Sequence, residues 1–451
     1  MVYLILVPIV MGVAIYYLPL RIARVCAVAS QAGLLIWAAT RLMAVRGSTT
    51  YLEIPGSDDH LVSIALQATW SPVLLTTVTI AVFTAVLLWS WRRPEFTSTY
   101  LLLMFVFQGL TTGIFLADDL FNLFVLFEVV TIVGVLLLLF DRATRSLYDA
   151  LYYLTVHIVG MALFLMGVAQ VYRAFGVLSF HEVERLIAAG DYDSHALVLP
   201  LAFLVAGLAL KAALFPVMSW IPRCYANPGA PTGVLALMSG VVMSCALVWV
   251  VRIVGAFAPA ANIRVPVMWW GIATVVVATI KAVSHTDLRV ILAFSTMAFV
   301  GYTLAGAMIS GAQNASITTS VAIHAVAKVA LFLAAGSIAQ RYGTWDIAEI
   351  RTAAGQRGVA RQMPATALVS GAAVLALIGW PPSLAAVPTL VICGYAAVVF
   401  LPQRTTGTSG RLEELREPLR RSVSLPNAVL ALTVLFAALL ASGVMMGGGA
   451  A

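Results

Sequence analysis

The chain has 451 residues, of which 62 % are apolar and only 10 % are charged, and its formal net charge is +7. Soluble domains contain about half apolar and about a quarter charged residues, so this composition excludes a soluble globular protein. It predicts an all-α polytopic membrane protein, because long continuous apolar runs are typical of membrane helices and not of the short alternating strands of a β-barrel.

Fourteen apolar stretches are long enough to span a bilayer as helices, which takes about 20 residues each. In chain order they are residues 2–19, 22–42, 70–90, 98–117, 120–140, 152–173, 197–218, 232–255, 266–284, 290–309, 315–339, 364–380, 384–401 and 427–446. With the first residue outside, arginines concentrate in the loops that face inward, including a cluster over residues 404–421. This positive-inside pattern predicts both termini on the non-cytoplasmic face of the cell membrane.

Two of the predicted helices are interrupted by prolines. The sequence FPVMSWIPRCYANPGAP follows Lys211, and IGWPPSLAAVP follows Leu377. Proline removes a backbone donor and breaks a helix. Broken helices at corresponding positions of two halves are typical of transporters built from repeats, with the transport path at the breaks.

Lysine is scarce in this chain and unusually placed. Three lysines stand against 23 arginines, and Lys211 and Lys328 both lie inside apolar runs. A charge at the bilayer centre costs roughly 3 kcal/mol even on lenient scales, so such residues are functional candidates. Lysine differs from arginine because it can release its proton at a buried site. Lys281 lies near the end of its span and is interpreted as an interfacial anchor.

Glu128 lies in the apolar run LFVLFEVV and is the natural partner of Lys211. Intramembrane acids usually mark ion or proton paths, although a hydrogen bond within the helix bundle is the alternative interpretation. An ion pair would hold both groups charged, and its opening would let Lys211 lose its proton. The sequence therefore predicts a Glu128–Lys211 switch.

A polar stripe precedes the second buried lysine. Ser316, Ser320, His324 and Lys328 recur every four residues, which places them on one helical face. Hydroxyl, imidazole and ammonium groups in file can hold water and pass protons, and the pKa of free histidine lies near neutrality. A helix packed by small polar residues is the alternative interpretation.

Weaker candidates lie at helix ends. His157 is more typical of a satisfied core histidine than of a relay, and Asp118 and Asp119 border the outer face, where they are either solvated or direct cations towards Glu128. The sequence has no phosphate-binding, dinucleotide or H-E-x-x-H motif, and its four cysteines are scattered. These absences predict no cofactor and no metal site.

Six segments together resemble the antiporter-like subunits shared by respiratory complex I, membrane-bound hydrogenases and Mrp-type sodium/proton antiporters. DLRVILAFSTMAFVGY is most similar to the D subunit of the Mrp antiporters. The resemblance spans about residues 70–382, and its other segments are LFVLFEVV, KAALFPVMSWIP, APTGVLALMSG, HAVAKVALFLAAGSI and MPATALVSGAAVLALIGWPP.

The resemblance implies about 14 transmembrane helices in a single domain, with two inverted five-helix repeats and broken helices 7 and 12. The expected parts are residues 1–97 (helices 1–3), 98–258 (first repeat), 259–402 (second, shortened repeat), 403–426 (a cytoplasmic amphipathic segment) and 427–446 (the last helix). The family's central polar axis would map onto Glu128, Lys211, His324 and Lys328.

The sequence also departs from the family pattern. Met218 and Tyr225 stand at two positions where the family often has histidine, and Ser244 stands where a bridging lysine is expected. The segment SLAAVP after GWPP lacks the usual lysine or glutamate of helix 12. Ser244 is kept as an accessory candidate beside Ser316, Ser320, His157 and Asp119.

The function that the resemblance implies is proton translocation, as a subunit of a multisubunit cation/proton antiporter or a related energy-converting complex. Its partners would be other membrane subunits, the lipid bilayer and protons, with sodium left open, and no nucleic acid. Two alternatives remain: a structural subunit with a lost or partial path, and a membrane partner in energy-coupled uptake of inorganic carbon.

Overall fold

The computed structural model describes residues 1–45, 50–54, 64–140, 144–190, 194–260, 263–310 and 315–378. The first part of the chain contains α1 (Val2–Tyr16), α2 (Leu20–Ala44), β1 (Thr50–Ile54), β2 (Ile64–Ala68), α3 (Trp70–Ser90), α4 (Ser98–Leu116), α5 (Leu120–Leu138), α6 (Thr144–Phe175), α7 (Phe180–Ala189) and α8 (Ser194–Lys211). The second part contains α9 (Trp220–Tyr225), α10 (Thr232–Leu237), a π-helical segment (Met238–Val242), α11 (Met243–Phe257), α12 (Arg264–Val283), α13 (Leu288–Ser310), α14 (Ala315–Tyr342), α15 (Ile347–Ala354), a 3₁₀ turn (Gly355–Arg357), α16 (Gly358–Gln362) and α17 (Pro364–Ile378).

The described helices are those of an integral membrane protein. Nine of them are long and apolar enough to cross a bilayer, and α1, α8 and α17 are shorter apolar helices. They coincide with the first eleven predicted spans and with most of the twelfth. The predicted spans 384–401 and 427–446, the amphipathic segment 403–426 and the proline pair of helix 12 lie outside the described residues.

The helices divide into a buried centre and a periphery. The membrane-spanning residues are largely buried in α3, α13, α14 and the continuous helix from α10 through α11. In α2 and α12, by contrast, most of them are not buried. Most of their exposed positions are apolar, for example Val25 on α2 and Ile280 on α12. A helix that is apolar on all sides is able to pack one side on protein and the other side on lipid chains.

Two strands are an exception to the predicted all-α fold. β1 and β2 form an antiparallel hairpin between α2 and α3, in register from Thr50 opposite Ala68 to Ile54 opposite Ile64. The chain just before α5 adds to the second strand, because Leu66 bridges Ala117. Alternating residues in a short strand give little signal beside long apolar helices, which is why the sequence did not predict the hairpin.

The two halves of the chain share one local backbone arrangement. Residues 118–120 pair with residues 178–180 just before α5 and α7, and residues 286–288 pair with residues 345–347 just before α13 and α15. In both cases a membrane helix and a short amphipathic helix begin from the same antiparallel bridge. The equivalence fixes the start of α5, which carries Glu128, and the start of α13.

Two glycines allow α8 to lie directly against α6. A Cβ atom at Gly207 would lie 2.5 Å from the Gly160 carbonyl oxygen and 2.7 Å from the Phe164 Cβ. Glycine at such crossings lets membrane helices approach closely. The contact positions the helix that ends at Lys211.

We expect Gly207→Val to lower the melting temperature of the protein in detergent, because the added side chain forces α6 and α8 apart. Overpacking of this kind typically costs about 1–3 kcal/mol. Gly33→Val on α2 is the matched control, since a Cβ there would meet nothing within 4 Å. Equal melting temperatures for the two variants would show that the close approach of the helices is not required.

Candidate functional site: two buried lysines and the polar groups around them

Lys211 is the last residue of α8, where the helix is interrupted. Ala213 has a positive φ of 56° and turns the chain out of the helix, and the next helix begins only at Trp220. The interruption that the prolines predict after Lys211, in helix 7 of the expected fourteen, is therefore present between α8 and α9. The end of a helix carries a partial negative charge from its free carbonyl groups, which favours a cation at this position.

The Lys211 ammonium group points at α5 and is almost fully buried. It donates hydrogen bonds to the Thr131 hydroxyl and, over 3.3 Å, to the Phe127 carbonyl oxygen, and it lies 5.4 Å from the centre of the Phe127 ring. Thr131 itself donates to the same carbonyl over 2.7 Å. Neutral oxygens therefore solvate the ammonium group in place of water.

Glu128 lies on the same helix as these oxygens but is not in direct contact with the ammonium group. Among the described side chains Glu128 and Lys211 form no salt bridge, although they are near enough for their charges to interact. In the structure the predicted pair is therefore one of interacting charges and not a direct salt bridge. Thr131, three residues further along α5, takes the position that the sequence assigned to Glu128.

Lys328 is held in the same way as Lys211. It is fully buried in α14 and donates to the Ser295 hydroxyl and, over 3.1 Å, to the Leu292 carbonyl oxygen of α13. Ser295 also donates to the Leu292 carbonyl, over 2.7 Å. Each buried lysine is thus paired with one hydroxyl and one main-chain carbonyl of a neighbouring helix.

His324 lies one turn before Lys328 and is buried to 1 % exposure. Its ring stacks on Phe299 with the ring centres 3.6 Å apart, and neither ring nitrogen has a hydrogen-bond partner within the described part of the chain. Leaving a buried polar group without a partner costs about 1–3 kcal/mol. A buried polar group of this kind needs an explanation, and a functional role is one.

The rest of the predicted stripe is only partly described. Ser320 lies one turn before His324 on α14 and is half-buried. Ser316 lies in the first turn of the helix, and its side chain is outside the described residues. Within the described side chains, Ser320, His324 and Lys328 therefore follow one another at intervals of one turn along α14.

Three accessory candidates make local structural contacts. The Ser244 hydroxyl donates to the Gly240 carbonyl over 2.9 Å, and the His157 Nδ1 atom contacts the Tyr153 carbonyl oxygen at 2.8 Å. The His157 ring also packs against the Tyr153 ring, with 4.0 Å between the ring centres, which agrees with the interpretation of a satisfied core histidine. Asp119 caps α5 by accepting a hydrogen bond from the Asn122 amide over 2.6 Å, and burial raises the pKa of this carboxyl group.

Asp118 is buried and is the centre of a cluster that the sequence did not predict. Its carboxylate contacts His181 and accepts from Ser179 and Arg252, both over 3.3 Å. Asp118 is fully buried, so the predicted solvated role is wrong for this residue. Ser179 immediately precedes α7, but its hydroxyl points to Asp118 and does not cap that helix.

Glu184 lies close enough to this cluster to interact with it. Burial raises the pKa of Glu184, and the positive charge of Arg252 opposes that shift. Arg252 in turn lies over the ring of Trp249, with 4.3 Å between its guanidinium carbon and the ring centre. The cluster ties α7 and α11 to the chain that precedes α5.

The partners of the two lysines were not found from the sequence. Thr131 and Ser295 are single hydroxyl residues in apolar segments, and such residues often bond to their own helix. One available signal was their spacing: Thr131 follows Glu128 by three residues, on the same face of α5. Assigning the pairs needs the register between helices.

Comparison with known proteins agrees with the family resemblance seen in the sequence motifs. Residues 117–399 match the family described as NADH:quinone oxidoreductase/Mrp antiporter, transmembrane. The chain is 32 % identical to NADH-quinone oxidoreductase subunit N of Desulforudis audaxviator over 298 residues, which are 65 % of this chain and 58 % of that protein. It is 29 % identical to the D subunit of the Na(+)/H(+) antiporter of Alkalihalophilus pseudofirmus over 274 residues, 60 % of this chain and 54 % of the relative.

The fold is also similar to subunits of two solved membrane complexes. One belongs to the archaeal membrane-bound sulfane sulfur reductase, with a TM-score of 0.79, 21 % identity and coverage of 99 % of this chain and 96 % of the other. The second belongs to the Mrp complex of a Dietzia species, with a TM-score of 0.80, 21 % identity and coverage of 99 % and 95 %. In sequence, the chain spans little more than half the length of the curated relatives it matches.

Proposed function

The chain belongs to the NADH:quinone oxidoreductase/Mrp antiporter transmembrane family, and from that premise we propose that it is a proton-translocating, antiporter-like subunit of a multisubunit complex. The complex would be a cation/proton antiporter or a related energy-converting assembly in the cell membrane. Its other membrane subunits would be the partners of this chain, and any redox catalysis would belong to those partners.

The observation that carries this proposal is the matching environment of the two buried lysines. Lys211 and Lys328 lie on different helices of the bundle, and each donates to one hydroxyl and one carbonyl. Two buried ammonium groups are costly for a fold that needs only stability, because apolar residues would fill the same space without desolvating a charge. A proton path explains why they are kept.

The two lysines and Glu128 suggest how protonation could be passed on. A proton arriving at Lys328 would disfavour a second positive charge at Lys211, since charges interact strongly in a medium of low polarity. Lys211 would then release its proton. A closer approach of Glu128 to Lys211 would reverse the effect, because an opposite charge favours the ammonium form.

The equivalent backbone pairings at residues 118–120 and 286–288 support the expected pair of inverted repeats. In that arrangement the first repeat carries Glu128 and Lys211, and the second carries His324 and Lys328. The full count of 14 helices, with a second break in helix 12, belongs to the same proposal. The path would cross between the repeats, near the break that follows Lys211.

A structural subunit without translocation is the second candidate, and the bonding of Ser244 favours it. The Ser244 hydroxyl donates its hydrogen bond to a carbonyl of its own helix, so it does not take the place of the expected lysine. The two main candidates differ in what a conservative change at Glu128 does.

We expect Glu128→Gln to reduce proton-coupled transport at least tenfold without reducing the amount of assembled complex. Glutamine keeps the size of the side chain and removes the charge that acts on Lys211. Transport is measured as formation of a pH gradient in membrane vesicles, normalised to assembled complex. Glu128→Asp is the control that keeps the carboxylate, and transport at the wild-type rate by Glu128→Gln would support the structural candidate.

A further inference from the structure

The path between Lys328 and the break in helix 7 needs a connection that Ser244 does not supply. Ser244 lies on α11, and its hydroxyl group bonds to the Gly240 carbonyl oxygen. The same continuous helix carries a second buried serine, Ser239, in its π-helical segment. A π-helical turn changes the direction of the side chains that follow, and such turns frequently occur at functional sites.

Ser239 is hydrogen-bonded to another helix. Its hydroxyl lies 2.6 Å from the Thr296 hydroxyl of α13, and both side chains are fully buried. The next residue, Gly240, lies directly against α14, because a Cβ atom there would lie 2.9 Å from the Ala325 carbonyl oxygen. The π-helical segment therefore lies against both the helix that carries Lys328 and the helix that binds it.

One end of this hydroxyl pair reaches Lys328. The Leu292 carbonyl oxygen accepts a hydrogen bond from Lys328 over 3.1 Å and from Thr296 over 3.3 Å. The ammonium group and the Thr296 hydroxyl thus share one acceptor atom. A single water molecule is able to bridge two groups arranged in this way.

The other end reaches the break in helix 7. The Tyr225 hydroxyl lies close enough to Ser239 to interact with it, and it also donates to the Met243 sulfur over 3.7 Å. The Tyr225 ring stacks on Trp220, whose indole N–H donates to the Leu210 carbonyl over 3.1 Å. Leu210 immediately precedes Lys211.

We propose that Ser239 and Thr296, together with Tyr225, form the connection that carries protons between Lys328 and the break beside Lys211, in place of a lysine at position 244. The inference rests on the proposed function, which by itself does not require these three residues. Tyr225 stands where the family often has histidine, so a phenol hydroxyl would take over the role of an imidazole at that position.

Proton movement along these groups leaves no charge behind. Each hydroxyl oxygen accepts a proton from one side and releases its own proton to the other, so one O–H bond forms as one breaks. The Lys328 ammonium group that supplies the proton becomes a neutral amine, and a neutral Lys211 amine that takes the proton up becomes an ammonium group. Rotation of the hydroxyl groups then restores the starting arrangement.

The test compares variants that remove a hydroxyl with variants that keep it. We expect Ser239→Ala and Thr296→Val to reduce the rate of proton-coupled transport at least fivefold in vesicles containing the assembled complex. Thr296→Ser should retain at least half of the wild-type rate, because it keeps the hydroxyl. Thr79→Val on α3 is the matched control, since among the described residues its buried hydroxyl bonds only to the Leu75 carbonyl of its own helix.

Rates are normalised to assembled complex, so a loss of assembly does not count as a loss of transport. Tyr225→Phe is the second variant, which removes a hydroxyl and keeps the ring in its packing. Wild-type rates for Ser239→Ala, Thr296→Val and Tyr225→Phe would overturn the inference. A loss of transport in Thr296→Ser as large as that in Thr296→Val would overturn it too. If Glu128→Gln abolishes transport while these variants do not, the connection fails and the proposed function stands.

Discussion

Lys211→Met is expected to reduce proton-coupled transport to the background of vesicles that lack the complex. The change removes the amine that is proposed to take up and release a proton where α8 ends. Methionine has a similar length, and the Thr131 hydroxyl keeps its hydrogen bond to the Phe127 carbonyl oxygen when the ammonium group is gone. We therefore expect assembly to remain normal. The measurement is the pH gradient formed per assembled complex.

Lys281→Met is the matched control for this prediction. Lys281 is exposed on α12, near the end of that helix, so the same change of residue there removes a lysine without touching the buried groups. It should leave the rate of transport unchanged. If Lys211→Met and Lys281→Met transport protons equally well, Lys211 has no part in translocation.

Lys328→Met is expected to abolish transport and to leave the protein as stable as the wild type or more stable. Removing one member of a buried charged pair is destabilising, but Lys328 is solvated by neutral oxygens, and Ser295 and the Leu292 carbonyl still bond to each other without it. Replacing a buried ammonium group by an apolar side chain of similar size removes a cost of desolvation. Transport and melting temperature in detergent are measured on the same preparation.

A loss of stability in Lys328→Met, with transport lost in proportion, would contradict this prediction. That result would show that the ammonium group holds α13 and α14 together. A purely structural role requires the two measurements to fall together, whereas a proton-carrying role separates them.

The positions of the helices could be predicted from the sequence because a bilayer leaves few alternatives. Every backbone polar group in the hydrocarbon must bond within its own segment, so a long apolar run becomes a helix. The break after Lys211 followed from prolines for a similarly local reason. The burial of Lys211, His324 and Lys328 was likewise predicted correctly.

The contacts between helices could not be predicted in the same way. A direct pair of Glu128 with Lys211 looked natural because the two have opposite charges, yet the ammonium group bonds to Thr131 and Phe127. Which face of α5 meets Lys211 depends on the rotation of one helix against the other, and no spacing within a single segment encodes that rotation. Asp118 was misread for the same reason, since its partners His181 and Arg252 come from distant segments.

The buried lysines are proposed to act by exchanging protons and not by providing fixed charge. Lys211→Arg tests this most directly, because arginine keeps a positive charge at this position and does not release a proton in proteins. In vesicles containing normal amounts of the assembled complex, we predict that Lys211→Arg transports protons no faster than Lys211→Met. Transport by Lys211→Arg at the wild-type rate would contradict proton exchange at this lysine.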